Sequence, residues 1–168
     1  MSNITAQEQF LDDIKSYLEN DLLETTLDYK FPHIRITKDR IQDTCKWLKE
    51  KQHFIYLVDV FGTDRFTAED RFEVIYHIFC LRTRVRVFLK IRVEEENPVV
   101  PTVTNIWRSA NWNERETFDM FGIRFEGHPD MRRMFMPEDY QYYPLRKEFP
   151  LIGVPGSIEL PSTTPDQV

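Results

Sequence analysis

The chain has 168 residues, 41% of them hydrophobic, with 13 Phe, 7 Tyr and a formal net charge of −6. That length suits one domain burying roughly two-thirds of its unfolded surface, the aromatic content excludes a disordered chain, and the acidic balance argues against nucleic acid or an anionic membrane as main partner. Cys45 and Cys80, the only cysteines, support no disulfide framework and cannot supply the four thiolates of an ordinary iron–sulfur cluster.

The opening MSNITAQEQFLDDI lacks the charged-then-apolar pattern of a signal peptide and the Arg-rich pattern of a transit peptide. No run approaches the roughly 18 apolar residues of a membrane span, so a soluble protein is expected. Thr5 followed by Glu8 is a capping-box signature, and Phe10, Leu11, Ile14, Tyr17 and Leu18 recur at helical spacing, which predicts a helix over about 5–20. From Leu22 to Thr37 two short extended runs are broken near Phe31-Pro32. Asp39 is then placed to cap a second helix, with Ile41, Cys45 and Leu48 on one stripe and an end near His53.

Phe54 to Phe61 reads as a buried strand stopped by Gly62-Thr63-Asp64, and strands over Arg71–Leu81 and Val85–Val93 follow. The last alternates most cleanly, with Val85, Val87, Leu89, Ile91 and Val93 on one face and Arg82, Arg84, Arg86, Phe88, Lys90 and Arg92 on the other. A one-residue slip would bury the basic side chains, which fixes the register. The basic stripe reads either as a solvated face or as a surface that meets acidic groups on a partner.

After Glu94-Glu95-Glu96-Asn97-Pro98 a helical pattern returns near Thr104–Ala110 and again from Asn113, as N-cap, through Met120 to Gly122 just past the end. These elements predict an α+β fold, a mainly antiparallel sheet packed with helices over residues 1–135. From Met136 to Val168 six of the ten prolines fall in 33 residues, so neither helix nor central strand can run far. The stretch nevertheless carries Tyr140, Tyr142, Tyr143, Leu145, Phe149, Leu151 and Ile152. Residues 136–168 are therefore expected to form an extended arm docking partner subunits, with little structure over about 136–160 without them and with Ser162–Val168 loose.

Within Glu114-Arg115-Glu116-Thr117-Phe118-Asp119 the spacing turns Glu114 and Glu116 apart and predicts an i,i+4 ion pair between Arg115 and Asp119. Glu116 and Asp119 share a face and could hold a divalent cation with His128, but no HExxH-like or phosphate-loop pattern accompanies them. His128, in the turn Gly127-His128-Pro129-Asp130, reads first as a structural histidine.

The stretch from Ala110-Asn111-Trp112-Asn113 through Met120-Phe121-Gly122-Ile123, then Phe125, Gly127-His128-Pro129-Asp130-Met131-Arg132-Arg133, closely resembles the signature of the NuoC family, the C subunits of respiratory complex I, NADH:quinone oxidoreductase. Pro137-Glu138-Asp139, Pro144-Leu145-Arg146-Lys147 and Phe149-Pro150-Leu151 match the family's following segment, with Phe135 and Tyr140 standing where an aliphatic residue and a tryptophan are expected. The resemblance implies a core subunit of the peripheral arm on the cytoplasmic side of the bacterial inner membrane. It would pack against the quinone-site (D) subunit and reach over iron–sulfur subunits B, I and G, with no membrane span and no nucleic acid.

It also implies no catalytic, cofactor-binding or metal-binding residue in this chain, with NADH, FMN, iron–sulfur clusters and quinone held by the partners. Glu114, Arg115, Glu116, Asp119, His128, Arg132, Arg133, Tyr140, Tyr143, Arg146 and Phe149 are then the signature and interface residues. Two other readings remain: a homologous scaffold of a ferredoxin-dependent plastid-type complex or membrane-bound hydrogenase, and a stand-alone hydrolase using Glu116, Asp119 and His128.

Overall fold

Apolar periodicity switches from helical to alternating and back along the chain, and the elements follow it. The computed structural model describes residues 3–28, 30–66 and 68–156. First come α1 (Asn3–Leu18), a 3-10 turn, β1 (Leu22–Asp28), β2 (Phe31–Ile36), a second 3-10 turn at Lys38–Arg40, and α2 (Ile41–Glu50). Three longer strands follow, β3 (Tyr56–Asp64), β4 (Phe72–Cys80) and β5 (Val85–Val93), and then β6 (Val99–Pro101), α3 (Ala110–Phe121) and β7 (Arg124–Glu126).

Five strands form one sheet in the order β1-β2-β5-β4-β3, antiparallel except for the parallel β2–β5 pair. The fold is thus α+β with a mostly antiparallel sheet, as the patterning predicts. Val85, Val87, Leu89, Ile91 and Val93 all point into the core, with Phe10, Ile14 and Leu18 of α1 and Ile41, Cys45 and Leu48 of α2 in the same cluster. Each such side chain contributes about 1.5–3 kcal/mol on burial, which sets the strand's register and seats both helices on one face. Stacking of Tyr17 on Trp47, centroids 4.4 Å apart, joins the helices.

One sheet edge is covered. The Ser109 hydroxyl donates to the Leu57 carbonyl at 3.3 Å and the Thr117 hydroxyl to the Val60 carbonyl at 3.2 Å, so α3 lies along β3 and satisfies backbone acceptors that an edge strand leaves open.

Several predicted boundaries shift. The first helix has already begun at Asn3, which puts Thr5 inside it, and the Thr5 side chain lies outside the described residues. Arg40, not Asp39, occupies the N-cap of α2, without a side-chain cap, because a 3-10 turn leads into the helix. Of the stretch predicted as Thr104–Ala110, residues 104–109 form turns rather than a helix, so α3 begins at Ala110 and Asn113 sits within it, donating to Asp59 Oδ1 at 2.6 Å. The parallel β6–β7 pair is too short to announce itself in sequence. The expectation for Ser162–Val168 falls outside the described residues.

Candidate functional site

The signature converges on α3 and the loops that follow it, where charged side chains face inward. Glu114 is fully buried, accepting from Thr102 Oγ1 at 2.5 Å and from the Val103 N–H at 2.8 Å, which ties the helix to the strand-to-turn connection before it. Burial pushes its carboxyl up to about 7, against the pull of those two donors.

His128 Nε2 lies 3.2 Å from the Asn111 carbonyl, which can only accept, and the Asp130 N–H donates to Nδ1 at 3.0 Å. The ring is therefore the neutral Nε2–H tautomer. Burial lowers its pKa, and the Arg115 charge adds to this against the Asn111 carbonyl. Asp130 in turn receives both Nε and Nη2 of exposed Arg132 at 2.8 Å.

Asp119 is the centre of the arrangement. Oδ2 accepts three consecutive backbone N–H groups, Met134 at 3.0 Å, Phe135 at 2.7 Å and Met136 at 3.0 Å, while Oδ1 receives Arg133 Nη1 at 2.6 Å. Burial works to raise its pKa, but the N–H groups of Phe135 and Met136, Arg133 and the Met134 N–H outweigh it and hold the carboxyl below its ordinary value. The predicted i,i+4 pair between Arg115 and Asp119 is not made. Arg115 donates instead to the Arg132 and Arg133 carbonyls at 2.9 and 3.2 Å and stacks on Trp112. A chain that folds back over the helix offers Asp119 three aligned donors and a second arginine, which a same-helix pair cannot match.

Arg133 and Arg146 carry the link onward. Arg133 Nη2 donates to the Tyr140 carbonyl at 2.6 Å and the guanidinium lies 5.0 Å from the Tyr143 ring, while Arg146 Nε donates to the Phe121 carbonyl at 2.7 Å with its guanidinium 4.5 Å from the same ring. Gly122 ends α3 with φ +77°, and a Cβ there would meet Arg146 Nη2 at 2.6 Å and the Tyr143 ring at 2.7 Å. Both the left-handed turn and the close approach call for glycine. Tyr140 is buried, and Phe149 packs edge-on against Tyr142.

A second charged group had no signal in the sequence beyond residue type. Asp64 Oδ1 and Oδ2 receive Arg71 Nε and Nη2 at 2.8 and 2.6 Å, with both side chains buried, and Arg71 also pairs with Glu95 and Glu148. Arg71 holds the Asp64 carboxyl well below the usual carboxylate range. Since the Lys147 N–H donates to Asp64 Oδ2 at 2.8 Å, this pair fastens the region after Pro144 to the β3–β4 hairpin.

The cation set imagined for Glu116, Asp119 and His128 is not assembled. Glu116 is exposed and Asp119 is saturated by loop donors, and among the described residues no three His, Cys, Asp or Glu converge on a metal position. No helix among the described residues is long and apolar enough to cross a membrane. Glu114, Arg115, Asp119 and Arg133 direct their polar atoms at the molecule's own backbone and side chains, which fixes the return segment over α3.

The sequence and the fold both have known relatives. The family model for the 30 kDa subunit of respiratory-chain NADH dehydrogenase matches residues 34–155. The C 2 subunit of NADH-quinone oxidoreductase from Rhizobium meliloti is 45% identical over 139 residues, 78% of this chain and 76% of that protein. In Aquifex aeolicus a C/D 2 subunit of NADH-quinone oxidoreductase is 39% identical over 158 residues, 94% of this chain but 25% of the longer one.

Among solved structures, a trypsin-resistant fragment of Nqo5 superposes with a TM-score of 0.65 at 32% identity, covering 74% of this chain and 98% of the fragment. A chain of an archaeal membrane-bound sulfane sulfur reductase superposes at 0.71 with 25% identity, covering 86% and 87%. The chain belongs to the complex I 30 kDa subunit family, that of the NADH-quinone oxidoreductase C subunits.

Proposed function

We propose that this chain is a structural, non-catalytic subunit of the peripheral arm of a proton-translocating NADH:quinone oxidoreductase. Its work is to hold the quinone-site (D) subunit and the iron–sulfur subunits B, I and G in register while NADH, FMN, the clusters and quinone remain with those partners. The complex sits at the cytoplasmic side of the inner membrane, and this chain reaches the membrane only through it.

One observation carries the reading: Glu114, Arg115, Asp119 and Arg133 of the signature are engaged within the chain, while large apolar side chains stand outside. Trp112, Phe135, Leu145, Leu151 and Ile152 are all more than half exposed on or after α3. An apolar surface of this kind marks a protein interface. Association with the quinone-site subunit draws support from the Aquifex aeolicus protein, whose name joins C and D in one chain that includes a region like this one. The likeness to a subunit of an archaeal respiratory membrane complex favours a second reading, the same scaffold serving a related complex with another electron donor.

Purification through an affinity tag on this chain tests both. The expected result is co-isolation of an assembly with NADH:quinone activity, while the chain alone shows no flavin or iron–sulfur absorbance and no stoichiometric iron. A chromophore bound reproducibly to the chain alone would overturn the scaffold reading, and co-isolation with activity only toward another donor would select the second.

A further inference from the structure

The basic stripe does not behave as one surface. Arg92 is neutralised by Glu73 at 2.8 Å, Arg86 lies over Phe79 beside His77, and Lys90 lines a small cavity together with Glu24 and Glu73. Arg82 and Arg84, in the β4–β5 turn, are exposed and have no ion-pair partner among the described residues. They face Lys51 and His53, just past the end of α2, across a cavity of about 560 Å³ whose remaining walls are Ala6, Gln52 and Thr83. No carboxylate lines it among the described residues; the nearby Asp13 is already engaged by Gln9 and Gln52.

Two further features mark this cavity. His53 and Arg84 hold φ of +59° and +56°, a left-handed conformation where glycine or asparagine is usual, so the chain keeps an arginine at a position where it is strained. Ile55 and Leu81, which flank the basic residues in sequence, are 52% and 57% exposed. In a chain of net charge −6, a concave cationic cradle whose lining residues are followed or preceded in sequence by exposed apolar side chains fits one extended peptide better than a flat lipid surface or a nucleic-acid backbone.

We propose that the Lys51–Arg82–Arg84 cradle docks a carboxylate-bearing segment of a partner subunit, with Ile55 and Leu81 receiving the apolar side chains beside those carboxylates. The inference rests on the reading of the chain as one subunit of an assembly, and the test separates the two.

Lysine acetylation by a water-soluble reagent is read by mass spectrometry at Lys51, in the tagged complex and in the full chain alone. Labelling roughly tenfold slower in the complex is expected, together with a carbodiimide cross-link from Lys51 to an Asp or Glu of another subunit. Arg84→Gly should raise the Tm of the chain alone by roughly 2–4 °C, by relieving the left-handed strain, yet reduce its recovery in the complex; Arg82→Glu should reduce recovery more and leave Tm unchanged.

Equal labelling of Lys51 in complex and free chain, or Arg84→Gly and Arg82→Glu both assembling as the parent does, would overturn the cradle while leaving the assembly reading intact. Protection of the chain alone by cardiolipin vesicles would assign the cradle to a lipid headgroup and equally overturn it. Failure of the tagged chain to bring down any other subunit would sink both.

Discussion

At Glu114 a carboxyl group sits where water does not reach, and its protonation should be visible in the stability of the chain. The rise from the ordinary 4.5 to about 7 favours the protonated form in the folded state. The corresponding stability is fully present below pH about 4.5 and is lost as pH rises through about 7, a change of about 3 kcal/mol. Glutamine can replace it, its carbonyl accepting from Val103 and its amide donating to Thr102 Oγ1. Urea unfolding at pH 5 and pH 8 should show Glu114→Gln near the parent at pH 5 and more stable at pH 8. His128, whose lowered pKa acts in the opposite sense by removing stability as pH falls below about 6.5, lies 4.0 Å from Glu114, so the pH 8 comparison, well above that range, isolates the carboxyl. An equal difference at both pH values would mean that Glu114 stays ionised in the fold.

Among the elements, α3 and the segment after Pro137 form one unit, and its behaviour divides within the predicted arm. Tyr140, Leu145, Lys147 and Phe149 donate their N–H groups to Pro137, Met120, Asp64 and Arg146, whereas Leu151 and Ile152 stand in solvent. Hydrogen exchange on the chain alone should find the amides of Leu145 and Lys147 slower than those of Leu151 and Ile152 and faster than those of β5. Gly122→Ala should remove that protection by driving a methyl group into Tyr143 and Arg146, and uniform fast exchange from Pro137 onward in the parent would contradict the docking. Sequence disclosed the elements with strong periodicity: Val85–Val93 is the strand predicted, and Gly122 is the left-handed end of its helix. It misassigned Arg115 because i,i+4 geometry describes an isolated helix, and the winning partners come from a return segment whose path no local spacing encodes. Asp64 and Arg71 meet only because Asp64 pairs with Phe72 across a hairpin, information that lies in the register.

For the molecule as a whole, two kinds of surface follow from one rule, that charges are satisfied wherever the chain can reach them. Around α3, Glu114, Arg115, Asp119 and Arg133 are consumed by backbone and by one another while Trp112, Phe135 and Leu145 stand exposed; at the β4–β5 turn Arg82 and Arg84 are unreached and remain in a cationic cradle. The central claim is that the signature shapes an interface and performs no chemistry. The most direct test is the amount of assembled complex, and the NADH:quinone turnover per assembled complex, in membranes whose only copy of this chain carries Asp119→Ala. Removing Asp119 strands Arg133 and three N–H groups, a loss of about 3–5 kcal/mol. Assembled complex is expected to fall sharply while turnover per complex stays at the parent value; full assembly with turnover abolished would contradict the claim and give Asp119 a part in the reaction.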